Sequence, residues 1–159
     1  MRSWMISAAA LLASCDHSGS LCETYSAPYP DTVTGRYRTN ENAEFLDGMA
    51  ANAKGDHEAA IVHLKAYLAS DEHDHLARLY LATTFLEAGK PFDAELQLDL
   101  LEHEDVHTFK DQIEWYRTVC WLCSDQRERA IRAAANIASS ATHTYQPDAA
   151  RLMEVLRTE

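Results

Sequence analysis

Three patterns of apolar and polar residues follow one another along this 159-residue chain. Met5 to Ala13 form an apolar run of Met, Ile, Ala and Leu with one serine, preceded by a single cation, Arg2. A bilayer span takes about 20 residues, so this run is too short for one. A positive start, a short apolar run and small residues after it predict a secretory signal. Residues 16–40 are rich in Ser, Thr, Pro and Tyr and show no helical period, which predicts a tether. Tyr25, Tyr29 and Tyr37 are the residues through which it could also lie on the folded part. From Glu41 the pattern becomes helical, with expected spans of 41–54 and 57–69, 74–88 and 91–103, 108–123 and 126–139, and a last helix over 146–157. Pro147 falls in the first turn of that last helix, where its missing N–H costs nothing.

These spans repeat. An offset of 34 pairs Gly48 with Ala82, Gly55 with Gly89, Ala60 with Ala94 and Leu64 with Leu98. An offset of 36 pairs Leu79 with Trp115, Tyr80 with Tyr116, Phe85 with Trp121, Leu86 with Leu122 and Ala94 with Ala130. Small residues recur where antiparallel helices must approach, and Gly55 and Gly89 stand where the first helix of a pair ends and a left-handed residue is favoured. Asp125 takes that place in the third pair, at some conformational cost.

The stretch LARLYLATTFLEAGKPFDAELQLDLL, with Ala82, Phe85, Gly89, Ala94 and Leu98 in order, resembles the tetratricopeptide repeat. The resemblance covers 41–157 and implies an all-α fold: three helix-turn-helix pairs and a C-terminal capping helix wound into a right-handed TPR-like α-solenoid. The first pair departs from the motif at Glu44 and Asp47, and Val106 stands where a proline often closes the repeat. In that family the first helix of each pair lines a groove for a protein or peptide partner. Carried over, the lining is Phe45, Met49 and Asn52, then Leu79, Thr83 and Leu86, then Trp115, Val119 and Leu122, with Trp115 as the expected anchor. The family's basic clamp for a C-terminal carboxylate has no matching Lys and Asn set here. The same apolar positions could instead be covered by the capping helix or the tether.

Leu12-Ala13-Ser14-Cys15 resembles the bacterial lipobox, in which small residues admit the peptidase and the cysteine takes a covalent lipid. This implies a signal peptide over 1–14, a lipidated N-terminus and tether over 15–40, and the repeat domain over 41–159. The protein is then expected in the bacterial cell envelope, anchored to an inner or outer membrane through Cys15.

Composition narrows the function. Twenty-five acids against 14 bases give a net charge of −11, which repels phosphate backbones and makes nucleic acid an unsuitable partner. No Ser-His-Asp order, phosphate loop or HExxH motif is present, so the expectation is a non-catalytic interaction scaffold without a cofactor other than the lipid. The cysteines at 15, 22, 120 and 123 do not read as a disulfide framework, since lipidation of Cys15 leaves an odd number. Cys120 and Cys123 share one helix face as a CxxC pair near a helix end, away from the N-terminal position of redox motifs, and are expected as apolar core residues. His73, His75, His103 and His107 fall at the repeat junctions with Asp71, Glu72, Asp74, Glu102, Glu104 and Asp105, an expected solvated acidic edge. Two other functions stay open at this point: a structural or self-associating subunit whose groove is filled by its own helix, and a metal or thiol-redox module at Cys120 and Cys123.

Overall fold

The computed structural model describes residues 17–104 and 107–158, and the expected signal peptide and Cys15 lie outside them. Helices α1 (His17–Tyr25), α2 (Ala43–Asn52), α3 (His57–Ser70), α4 (His75–Glu87), α5 (Pro91–His103), α6 (Lys110–Cys123), α7 (Arg127–Ser139) and α8 (Gln146–Thr158) follow in order, with one 3-10 turn at His107–Phe109. There is no strand among the described residues. Successive helices pack on one another from α2 through α8, giving three antiparallel pairs and a cap, the all-α, TPR-like solenoid that the repeat spacing implies.

The turns explain why the helices stop where they do. Gly55, Gly89 and Asp125 all adopt left-handed backbone conformations, at φ of 77°, 69° and 58°. The first two are the conformation that glycine takes at little cost, and Asp125 keeps the same turn with a side chain present. Asp56 and Asp74 start α3 and α4, their carboxylates accepting from the amides of Ala59 and Ala77. Such a cap stabilises a helix by about 1 kcal/mol. Pro91 opens α5.

Gly48 shows why the first pair needs a glycine. A Cβ there would stand 2.9 Å from Leu64 Cγ and 3.3 Å from the Leu64 backbone nitrogen, so α2 and α3 meet at this point with no room for a methyl group. Beneath it lies a core that includes Leu64, Leu79, Leu98, Leu101 and Leu152, each fully buried. Burial stabilises each such leucine by about 1.5–3 kcal/mol. Helix α4 is enclosed on nearly every side: Leu79 through Leu86 are all buried.

The expectation for residues 16–40 is corrected over its described part. Instead of a free tether, α1 packs along α6, and Leu21 and Val33 are buried members of the main core. Sulfur chemistry accounts for part of the difference. Cys22 and Cys123 form a disulfide that joins positions 101 residues apart, which overturns the expectations of no disulfide and of an unpaired core cysteine at 123. Cys120 is free and buried, as expected for an apolar core residue.

Candidate functional site

Every residue expected in the groove lies on α2, α4 or α6, but the chain itself covers most of them. Phe45, Met49, Leu79, Thr83, Leu86, Trp115, Val119 and Leu122 are all buried, with no more than 4% of any exposed. Asn52 is half-buried and bridges two pairs, donating through Nδ2 to Glu87 Oε2 at 2.9 Å and meeting His57 Nδ1 through Oδ1 at 2.9 Å. Apart from half-buried Asn52, these side chains are closed to a partner.

The N-terminal segment supplies much of the cover. Tyr25 meets Trp115 edge-on with ring centroids 6.1 Å apart, and Tyr29 tilts against Tyr80 at 5.6 Å. The Tyr80 hydroxyl donates to the Pro30 carbonyl and accepts the Thr32 amide, each at 2.8 Å. Asp31 closes the turn below, accepting the amides of Val33 at 2.7 Å and Thr34 at 3.0 Å. Burial opposes ionisation of this carboxyl, but the Thr34 hydroxyl and the two amides outweigh it and hold Asp31 below its ordinary range. Of the three tyrosines expected to touch the domain, Tyr25 and Tyr29 do so, whereas Tyr37 is 87% exposed.

A second piece of cover comes from the turn before α8. The Tyr145 ring stacks on Trp115 at 5.4 Å with the planes 6° apart, so the indole has a tyrosine from each side of the chain against it. Tyr25, Pro28, Pro30, Trp115, Tyr116 and Tyr145 line a half-open cavity of about 250 Å³. Burial, followed by the neighbouring Tyr145, pushes the Tyr116 hydroxyl well above its ordinary range, and burial raises Tyr145 as well. Both phenols are thereby held in the neutral, protonated form.

Asp111, in the first turn of α6, holds Tyr145 in place indirectly. One carboxylate oxygen accepts both the amide and the hydroxyl of Thr144 at 2.7 Å. The Thr144 amide and then its hydroxyl are the main reasons the Asp111 carboxyl lies below its ordinary range. A carboxyl lowered in the folded state contributes stability above its unfolded pKa and loses it as pH falls through the folded one. Asp111→Ala is therefore expected to destabilise by about 1–2 kcal/mol at neutral pH. The difference from the parent should shrink in urea titrations as pH falls below the ordinary carboxylate range. An undiminished difference in acid would show that Asp111 acts through packing. Nearby, His143 Nδ1 accepts the Tyr145 amide at 3.1 Å, which leaves its proton on Nε2, 3.4 Å from Glu114 Oε2.

The repeat-junction acids are partnered more than the expected solvated edge implies. His75 Nε2 meets Glu104 Oε2 at 2.7 Å, and Arg117 reaches both Asp99 and Glu102 at 2.9 Å. Asp74 accepts the Tyr67 hydroxyl at 2.9 Å; burial and then this carboxylate push Tyr67 up to about 12. No group of three or more His, Cys, Asp or Glu among the described residues is placed to hold a metal ion. Exposed apolar side chains lie elsewhere: Phe92, Leu96 and Leu100 recur at every fourth position along α5, and Val62 is exposed on α3. The α5 stripe was not expected from the repeat pattern, although its spacing of four is visible in the sequence.

Comparison with known proteins bears on the repeats. The tetratricopeptide repeat family model matches residues 51–111, from the end of α2 to the start of α6. No curated protein and no solved structure gives a match. The matched stretch contains the α4/α5 pair whose residues carry the motif, and the pairs on either side extend its packing. Residues 51–111 are thus similar to the tetratricopeptide repeat, within a TPR-like α-solenoid, and such repeats generally serve protein–protein interaction.

Proposed function

We propose that the chain is a non-catalytic protein-interaction module held at a membrane of the bacterial cell envelope by a lipid on Cys15. The observation that carries this reading is the Cys22–Cys123 disulfide, because such bonds persist in oxidising compartments outside the cytoplasm. It agrees with what Leu12-Ala13-Ser14-Cys15 implies. It also shortens the tether. Cys22 is seven positions after Cys15, and an extended chain covers at most about 3.6 Å per residue, so a lipid at Cys15 would keep Cys22, and α6 bonded to it, within roughly 25–30 Å of the bilayer surface. The repeats would work close against the membrane, not at the end of a 25-residue leash.

Burial of the groove favours a second reading, a structural subunit whose inner face is filled by its own segment, in its disulfide-bonded form. The two readings differ in where a partner touches. For the first, a photo-crosslinking residue at Leu96 on α5 should capture a partner in intact cells, while one at buried Leu79 should not. A chain that elutes as a stable homo-oligomer and crosslinks only to itself would favour the second. For the anchor, Cys15→Ala is expected to abolish the acyl mass and move the protein from the membrane to the soluble fraction. A Cys15→Ala protein that stays with the membrane would overturn the anchoring.

A further inference from the structure

We propose that the Cys22–Cys123 disulfide is a redox latch: its reduction frees α1 from α6 and uncovers the Trp115 face, while the rest of the solenoid stays folded. The interaction role of that face rests on the function proposed above, but the latch itself stands on contacts within the chain.

The N-terminal segment is held in two different ways. Residues 29–33 are seated by non-covalent contacts: Tyr29 on Tyr80, hydrogen bonds from and to the Tyr80 hydroxyl, and Val33 at 1% exposure in the core. Helix α1 is held by a covalent bond as well as by packing. It is 9 residues long, HSGSLCETY, with no acid in its first turn and no base in its last. An isolated helix shorter than about 12 residues is marginal in water even with good helix formers, and this one contains a glycine and two serines. Its seat on α6 includes Leu21 at 8% exposure, the edge contact of Tyr25 with Trp115 and the covalent bond at Cys22. Cutting that bond removes the cross-link from a helix too short to hold itself in water.

The sulfur geometry suits reversible use. Cys22 and Cys123 are both partly exposed, so an attacking thiolate can reach the bond. The third sulfur does not interfere. Cys120 sits one turn before Cys123 but is buried, and burial raises its thiol far above the ordinary range, so it supplies almost no thiolate to shuffle the pair. The step needs an external dithiol. One of its thiolates attacks a sulfur of the pair to form a mixed disulfide, and its second thiol displaces the remaining protein thiol. The dithiol is oxidised to its disulfide, and Cys22 and Cys123 each end with a proton. Two electrons and two protons pass from the reductant to the protein.

Freed, α1 uncovers one side of Trp115 on α6, and residues 29–33 remain as a hinge on Tyr80. The test is hydrogen exchange followed by mass spectrometry on the full chain, with and without excess dithiothreitol. Reduction should speed exchange of the 17–25 amides by about tenfold or more, and leave 79–86 in α4 protected as before. Alkylation should then label Cys22 and Cys123 but not Cys120. Simultaneous loss of protection in 17–25 and in α4 would make the disulfide a plain staple of the whole fold and overturn the latch. So would unchanged 17–25 exchange in a chain whose two thiols are shown to be free, or a disulfide that resists the dithiol while the chain is folded. A Cys22→Ser, Cys123→Ser variant should reproduce the reduced pattern without reductant.

Discussion

Trp115→Ala in the disulfide-bonded chain is expected to lower the free energy of unfolding in urea by about 3–5 kcal/mol, the range for deleting a buried large aromatic. The indole is 4% exposed and lies between the Tyr25 edge and the Tyr145 face, with Val119 and Leu122 on the same helix also buried. Alanine leaves a void next to an existing cavity of about 250 Å³, and neither Pro28 nor Pro30 on its far wall can easily collapse into it. The stacking component can be separated. Combining Trp115→Ala with Tyr145→Ala should cost less than the sum of the two alone, by about 0.5–1.5 kcal/mol. A cost below about 1 kcal/mol for Trp115→Ala would mean that the ring is not part of the core and is available to a partner after all. Because the expected cost is large, loss of a partner from this variant would report unfolding as readily as binding.

That reversal, from anchor to core residue, shows where the sequence stops being readable. The helix ends lie within about two residues of their expected places because local chemistry fixes them: left-handed Gly55, Gly89 and Asp125, and Pro91 and Pro147 in first turns. Small residues at a fixed period likewise place α2 against α3 before any coordinates, as Gly48 against Leu64 bears out. These signals act within a few residues or recur along the chain. The groove residues expected on α2, α4 and α6 rest on the same period.

Whether the groove is open did not follow. Its cover comes from a segment with no period of its own: α1 is 9 residues long, and the stretch after it has no helix or strand until α2. What orders this segment lies far away in sequence, Tyr80 for residues 30 and 32 and Cys123 for Cys22. Cysteine parity offered half of the answer. An odd number left after Cys15 leaves room for one pair and one free thiol, and the structure has that arrangement among the described residues, with Cys120 free. Choosing the pair required knowing that α1 folds back on the end of α6. The adjacent CxxC sulfurs drew attention to a local pair, but the bond formed runs to the other end of the chain.

Replacing Cys22 and Cys123 together with serine is expected to cost about 3–5 kcal/mol. A cross-link closing a loop of about 100 residues restricts the unfolded chain by up to about 4.7 kcal/mol in the chain-entropy account, and residues 22 and 123 enclose a loop of that size, 101 positions apart. The full value would apply if the folded state were unchanged. If α1 detaches, the folded state regains the freedom of one short helix, and the cost falls toward the lower end of the range. A second substitution distinguishes the cases. Leu21→Ala should cost about 2 kcal/mol in the disulfide-bonded chain, where Leu21 is buried. In the double-serine background it should cost under about 0.5 kcal/mol, since the residue would already be in water in the folded state. Equal costs in both backgrounds would mean that α1 stays docked without its sulfur bond. The disulfide would then act only on the unfolded chain, and the Trp115 face would be closed by packing alone.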